Sequence, residues 1–172
     1  EAALFAQVNR SQNEQLKNIT VLALRGRPDW LMDLYAGSGN LTEPLIETFP
    51  AAKITAIELS RVATTRGQKR LPHVEWIAAD VGKALKGLAR PKGLGAVILD
   101  PPRTGCTRDV LEHLMRLHPE QIVYVSCNPM TFARDAEILL NSGLYRLEHV
   151  RGLDMFPQTE HIELVASFCT VT

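Results

Sequence analysis

The sequence predicts an α/β fold in which a mostly parallel, seven-stranded sheet carries helices on both faces. Three observations predict it. Five short apolar runs alternate with amphipathic stretches from residue 29 onward, the repeated βα order of a parallel sheet. Two further segments rich in β-formers follow with no helix between them, so they should pair antiparallel at one side of that sheet. The chain has 172 residues, 45% of them hydrophobic, which suffices for one domain with a sizeable core and is too short for two ordinary ones.

Taken in order, Leu4, Phe5, Val8, Leu16, Ile19 and Leu22 recur at roughly helical spacing before Arg25, predicting one or two helices in a leading segment over 1–28. Gly26 to Pro28 breaks that pattern and opens the main domain, 29–172. The five strands are expected at WLMDLY, KITAIEL, VEWIAA, GAVILD and QIVYVS. Helices are expected at Thr42–Thr48, Ser60–Arg70, Gly82–Ala89, Thr107–Leu117 and Met130–Asn141. The closing strands are expected at Leu144–Val150 and His161–Thr170, with 151–160 as the longest loop.

Charge and cysteine content narrow the function classes. Nineteen basic residues balance nineteen acidic ones, which excludes a binder driven mainly by phosphate neutralisation. The apolar runs fall far short of the roughly 20 residues that span a bilayer. Cys106, Cys127 and Cys169 include no CxxC pair, so neither a disulfide framework nor a cysteine-rich metal site is expected, and a reducing, cytoplasmic setting fits best. A monomer without a metal is the expectation. Residue 1 is Glu, which suggests a fragment of a longer chain.

The segment Asp33-Leu34-Tyr35-Ala36-Gly37-Ser38-Gly39-Asn40 sits where the first strand gives way to a helix, the crevice in which open α/β sheets bind ligands. Gly37 and Gly39 allow a sharp turn and close approach to a ligand. Glu58 ends the second strand, where a carboxylate can accept from both ribose hydroxyls of a nucleoside, and Asp80 ends the third. Thr42 occupies the place of the third glycine of the dinucleotide fingerprint. The combination favours S-adenosylmethionine over NAD, although a plain tight turn would also use these glycines.

Three more motifs lie at strand ends. Asp100-Pro101-Pro102-Arg103 follows the fourth strand, and its prolines suit a rigid wall against a flat substrate. Ser126-Cys127-Asn128-Pro129 follows the fifth, with Asn128 as N-cap and Pro129 in the first turn of a helix. A cysteine there lies near the positive end of the helix dipole, which predicts a lowered thiol pKa and nucleophilic work. His161-Ile162-Glu163 opens the last strand. Side-chain alternation puts His161 and Glu163 on one face, so Glu163 would serve as a general base if that strand end borders the crevice. Cys106 and Cys169 read as ordinary small residues.

Together, DLYAGSGN, AIELS, LDPPRTG, YVSCNP and FPQTEHIE resemble, in order and spacing, the RNA uracil-5-methyltransferase family, which acts on uridines of tRNA or 23S rRNA. The resemblance runs from FAQVN at Phe5–Asn9 to Phe168. It implies a Rossmann-like class I methyltransferase domain that binds S-adenosylmethionine and an RNA partner. By the same resemblance Gln7, Tyr35, Gly37, Asn40, Glu58, Asp80 and Asp100 match cofactor positions, Cys127 matches the nucleophile and Glu163 the base. Asp100, Pro101, Pro102 and Arg103 would line the base pocket.

Complete members of the family usually carry an N-terminal oligonucleotide-binding domain ahead of the FxQ segment, so the chain is expected to lack an RNA-binding region. Arg25, Arg27, Arg61, Arg66, Lys69, Arg70, Arg103 and Arg108 are the local candidates for phosphate contact. Rival readings are an RNA cytosine-5-methyltransferase, an amino-methyltransferase of adenine or guanine, and a non-catalytic S-adenosylmethionine-binding module. The first of these places a cysteine in the proline turn, where this chain has Asp100.

Overall fold

The computed structural model describes residues 10–154 and 162–171. The elements run α1 (Arg10–Leu22), β1 (Trp30–Leu34), α2 (Thr42–Thr48), β2 (Lys53–Glu58), α3 (Arg61–Arg70), β3 (Glu75–Ala78) and α4 (Val81–Gly87). They continue with β4 (Gly95–Leu99), α5 (Arg108–Leu117), β5 (Gln121–Ser126), α6 (Pro129–Asn141), β6 (Tyr145–Asp154) and β7 (Ile162–Thr170). Local chemistry sets most helix starts. Ser60, Asp80, Thr107 and Asn128 each accept a backbone N–H of the first turn of α3, α4, α5 and α6, satisfying donors that a helix leaves unpaired.

One seven-stranded sheet results, in the order β3-β2-β1-β4-β5-β7-β6. β1 to β5 are mutually parallel, and β7 runs against both β5 and β6. β1 and β4 are entirely buried, because both sheet faces are covered. On one face Met32, Leu34, Val97, Leu99, Tyr124 and Phe168 pack with α4, α5 and α6 side chains. On the other, Leu31, Ala96, Ile98, Val123 and Val165 pack with Leu16 of α1 and Leu45 of α2. The chain turns to opposite sides of β1, which opens a crevice above the C-terminal ends of β1 and β4.

Two boundaries differ from expectation. The leading helical segment resolves into α1 alone among the described residues. β6 runs four residues further than expected, through Arg151–Asp154, which had read as loop. β7 templates that extension: Arg151, Gly152, Leu153 and Asp154 pair with Val165, Leu164, Glu163 and Ile162. Gly152 leaves room there for the Ile162 side chain, whose Cδ1 would lie 2.7 Å from a Cβ. No helix among the described residues is long and apolar enough to cross a membrane.

Candidate active site

The glycine-rich loop after β1 is held from three sides. Tyr35, Gly37 and Gly39 all take positive φ, of 64°, 56° and 92°. For Tyr35 this is a strained conformation. Glu58 accepts the Gly37 N–H at 3.0 Å through one carboxylate oxygen and the Ser60 N–H at 2.7 Å through the other. The second strand end thus fixes the turn and keeps its carboxylate half-buried beside it. Arg70, in the last turn of α3, donates to the Ser38 and Gly39 carbonyls at 3.1 and 2.9 Å. Beneath the loop Asp33 is buried, its Oδ2 taking the Thr42 hydroxyl at 2.5 Å and its Oδ1 left without a partner. Burial and the nearby Glu58 push its pKa up to about 7 despite that hydrogen bond.

Asn40 and Asn13 exchange amide hydrogen bonds at 2.8 and 3.0 Å, so Asn40 anchors α1 to the loop. Asp80 is exposed and caps α4 through Oδ1 at 3.0 Å from the Lys83 N–H, yet it lies near enough to Tyr35 to act on the phenol. Gln7 lies outside the described residues, as do Glu160 and His161.

The second cluster gathers across three strand ends. Ser126 is registered opposite Leu164 between β5 and β7, and one step further along that antiparallel pair brings Cys127 beside Glu163. Asp100 follows β4, its N–H bonded to the Leu34 carbonyl at 3.3 Å. Pro101 is buried, while Pro102 and Arg103 are exposed. Desolvation raises the Glu163 carboxyl to about 7. Asp100 rises to about 8 through burial and the charges of Glu163 and Asp33.

The helix-dipole argument for a lowered thiol pKa at Cys127 is overturned. Burial pushes the thiol up, the charges of Glu163 and Asp100 add to that, and Arg103 opposes them. Asn128 and Pro129 do occupy the expected cap and first-turn positions, with Asn128 Oδ1 accepting the Met130 N–H at 3.0 Å. The site at Cys127 therefore pairs a resting thiol with a carboxyl that titrates near neutrality, the value a general base needs.

Sequence reasoning missed three contributors. Asp33 carries no motif of its own beyond its place in the loop, and its burial becomes visible only when α2 supplies Thr42. Arg70 shows only as a basic residue in a helix's last turn. Cys106, read as incidental, lies between the hydroxyls of Tyr35 and Tyr124, and burial raises it to about 11. Several of the proposed phosphate contacts are spent inside the chain: Arg25 on Glu148, Arg70 on the glycine loop and Arg108 on Glu112. No cluster of three or more metal-ligating side chains occurs among the described residues.

Comparison with known proteins bears on this arrangement. Residues 86–168 match the family model described as tRNA (Uracil-5-)-methyltransferase. The chain is 37% identical over 171 residues to the 23S rRNA (uracil(1939)-C(5))-methyltransferase RlmD of Aeromonas hydrophila, a match covering 95% of this chain and 38% of that protein. An uncharacterized RNA methyltransferase of Thermotoga maritima is 39% identical over 146 residues, covering 82% of this chain and 32% of that one. Among solved structures, Pyrococcus abyssi tRNA (uracil-54, C5)-methyltransferase in complex with S-adenosyl-L-homocysteine superposes with a TM-score of 0.81 at 31% identity, over 96% of this chain and 40% of that chain. A precorrin-6y C5,15-methyltransferase of Geobacter metallireducens, at 16% identity and a TM-score of 0.73 over 99% of this chain and 92% of that one, shares the fold alone. The chain thus spans about two fifths of the length of the first relatives it matches.

Proposed function

We propose that the chain, which resembles RNA uracil-5-methyltransferases over nearly its whole length, belongs to that family and is the methyltransferase domain of an enzyme that methylates C5 of a uridine in tRNA or 23S rRNA, using S-adenosylmethionine. The observation that carries this reading is the meeting of Cys127 and Glu163 at adjacent strand ends, beside a glycine-rich loop.

The loop fits the cofactor. A glycine turn with positive φ at Gly37 and Gly39 admits a ligand close to the backbone. The half-buried Glu58 carboxylate suits ribose hydroxyls, and the exposed Asp80 beside Tyr35 adds a polar acceptor at the next strand end. Tyr35, Gly37, Glu58, Asp80 and Asp100 would hold the cofactor, with Asn40 shaping the loop from behind. When bound, S-adenosylmethionine supplies an electrophilic methyl group.

Uracil C5 is too weak a nucleophile to take that methyl unaided. Cys127 gives up its proton to solvent water, with Arg103 favouring the thiolate, and its sulfur adds to C6. The C5–C6 π electrons move toward O4, giving an enolate whose C5 would be nucleophilic enough to take a methyl from the bound cofactor, the thioether being left behind. C5 then carries both the new methyl and its original hydrogen. Glu163, as carboxylate, takes that proton; the electrons re-form the C5–C6 double bond as the C6–S bond breaks and the Cys127 sulfur leaves as thiolate. A carboxyl that titrates near 7 is ionised often enough to accept the proton and basic enough to hold it. Asp100, Pro101, Pro102 and Arg103 wall the pocket into which the uridine, drawn out of its stack, would enter.

The test uses labelled methyl donor, the complete enzyme and RNA substrate. Cys127→Ala should abolish transfer while cofactor affinity stays within a few-fold, and Cys169→Ala should stay active. Glu163→Gln should accumulate a protein–RNA species that carries labelled methyl, survives denaturing electrophoresis and disappears in the double variant with Cys127→Ala. Turnover by Cys127→Ala would sink the nucleophile assignment and favour an amino-methyltransferase.

A further inference from the structure

The turn that carries Arg103 is fastened to α6 by an unusual density of side-chain bonds. Thr131 Oγ1 and Asn128 Nδ2 both donate to the Arg103 carbonyl at 3.1 Å. Arg134 Nη2 donates to the Thr104 and Cys106 carbonyls, each at 3.0 Å. Asp135, fully buried, takes the Cys106 N–H at 2.7 Å and the Tyr124 hydroxyl at 2.6 Å on one oxygen. Its other oxygen takes Arg134 Nε and Nη2 at 2.9 and 2.7 Å.

The approach is close enough to dictate a residue type. A Cβ on Gly105, at φ 74°, would lie 2.6 Å from Asp135 Oδ2, 2.7 Å from Arg134 Nη2 and 3.1 Å from Thr131 Cβ. Asp135 is buried but the Arg134 side chain is half exposed, and an ion pair with an exposed partner adds little stability. What this one does is fix where a turn sits.

We infer that Thr131, Arg134 and Asp135 are positioning residues: they fasten the 103–106 turn onto the helix that starts two residues after Cys127, and so hold Arg103 beside the thiol. The inference rests on the reading of Cys127 as nucleophile. The thiol faces Glu163 from β7, Asp100 from the end of β4 and Arg103 from the turn, so moving Arg103 away removes a positive charge that favours the thiolate against acids that ionise across the same pH range. Thr131, Arg134 and Asp135 touch neither substrate nor cofactor in this scheme. They act through Arg103.

Site-resolved alkylation of Cys127 by iodoacetamide, followed by peptide mass spectrometry between about pH 6 and 10, reads the thiolate directly. Arg103→Ala should slow alkylation about fivefold below the thiol pKa, the effect of one charge a few ångströms away in a water-like dielectric. Thr131→Val and Arg134→Gln should each slow it in the same direction, leave the high-pH plateau unchanged, and add nothing in the Arg103→Ala background. Gly105→Ala should do the same by another route. An unchanged pH profile in folded Thr131→Val, or slowing of equal size without Arg103, overturns the inference. The assay uses neither RNA nor cofactor, so a failed nucleophile assignment would show in methyl transfer by Cys127→Ala and be told apart from a failed clamp.

Discussion

Replacing Glu163 by Gln should make the protein more stable at alkaline pH while removing its proposed base. Glu163 has a folded pKa of about 7 against an ordinary value of 4.5, because burial disfavours its charge. Between those values the folded chain keeps a proton that the unfolded chain has released, so the stability this group contributes is present in acid and lost as pH rises toward 7. At about 1.4 kcal/mol for each tenfold change, the ionised group costs up to about 3 kcal/mol above that pH. Its partial exposure brings the expected figure to about 1–2 kcal/mol. Gln keeps the shape and carries no charge. Urea unfolding at about pH 8 should therefore show a higher midpoint for Glu163→Gln at unchanged slope, with the two proteins converging near pH 5. A variant less stable than its parent at pH 8, or a gap independent of pH, would refute the desolvation argument.

Two further outcomes are expected. Glu58→Ala removes the acceptor proposed for the ribose hydroxyls and should weaken S-adenosylmethionine binding by about 10- to 150-fold, from charge-assisted bonds worth roughly 1.5–3 kcal/mol; calorimetry returning an unchanged affinity would move the ribose elsewhere. Gly39→Ala sets a Cβ 2.8 Å from Leu71 Cδ1 and 3.1 Å from Trp76 in a left-handed conformation and should cost about 1–3 kcal/mol. Gly143→Ala, at φ 70° with nothing within 4 Å, serves as the control in the same thermal melts. Equal losses in the two variants would leave the close packing around Gly39 without energetic weight.

Periodicity and caps made the helices and the parallel strands legible, because each depends on residues within a few positions of one another. α2 falls over Thr42–Thr48 as expected, α5 begins one residue after the expected Thr107, and α6 begins at Pro129 behind the expected cap Asn128. The extension of β6 was hidden because RGLD has no strand signature of its own and is strand only through pairing with β7. Motif order likewise exposed Cys127, Glu163 and Glu58 through their places at strand ends. It gave no access to the thiol's electrostatics. A helix terminus is a local feature, whereas the thiol is pushed up by burial under the finished fold and then by Asp100 after β4 and Glu163 in β7, 27 residues before it and 36 after it. Asn40 and Asp80 show the same limit, since their partners Asn13 and Lys83 are set by packing or by capping that the motif itself does not encode.

The reversed strand has a consequence for the order in which the site comes into being. β7 lies between β5 and β6 and is the last of the seven strands in sequence, so the sheet's final two neighbours meet only through it. During synthesis the parallel strands and Cys127 emerge first, and domains fold as their segments become available. Until the chain beyond Ile162 has been inserted, the thiol stands at an unpaired edge with no Glu163 across from it. Completion of the sheet and the arrival of Glu163 beside Cys127 are therefore the same event, the docking of a single strand.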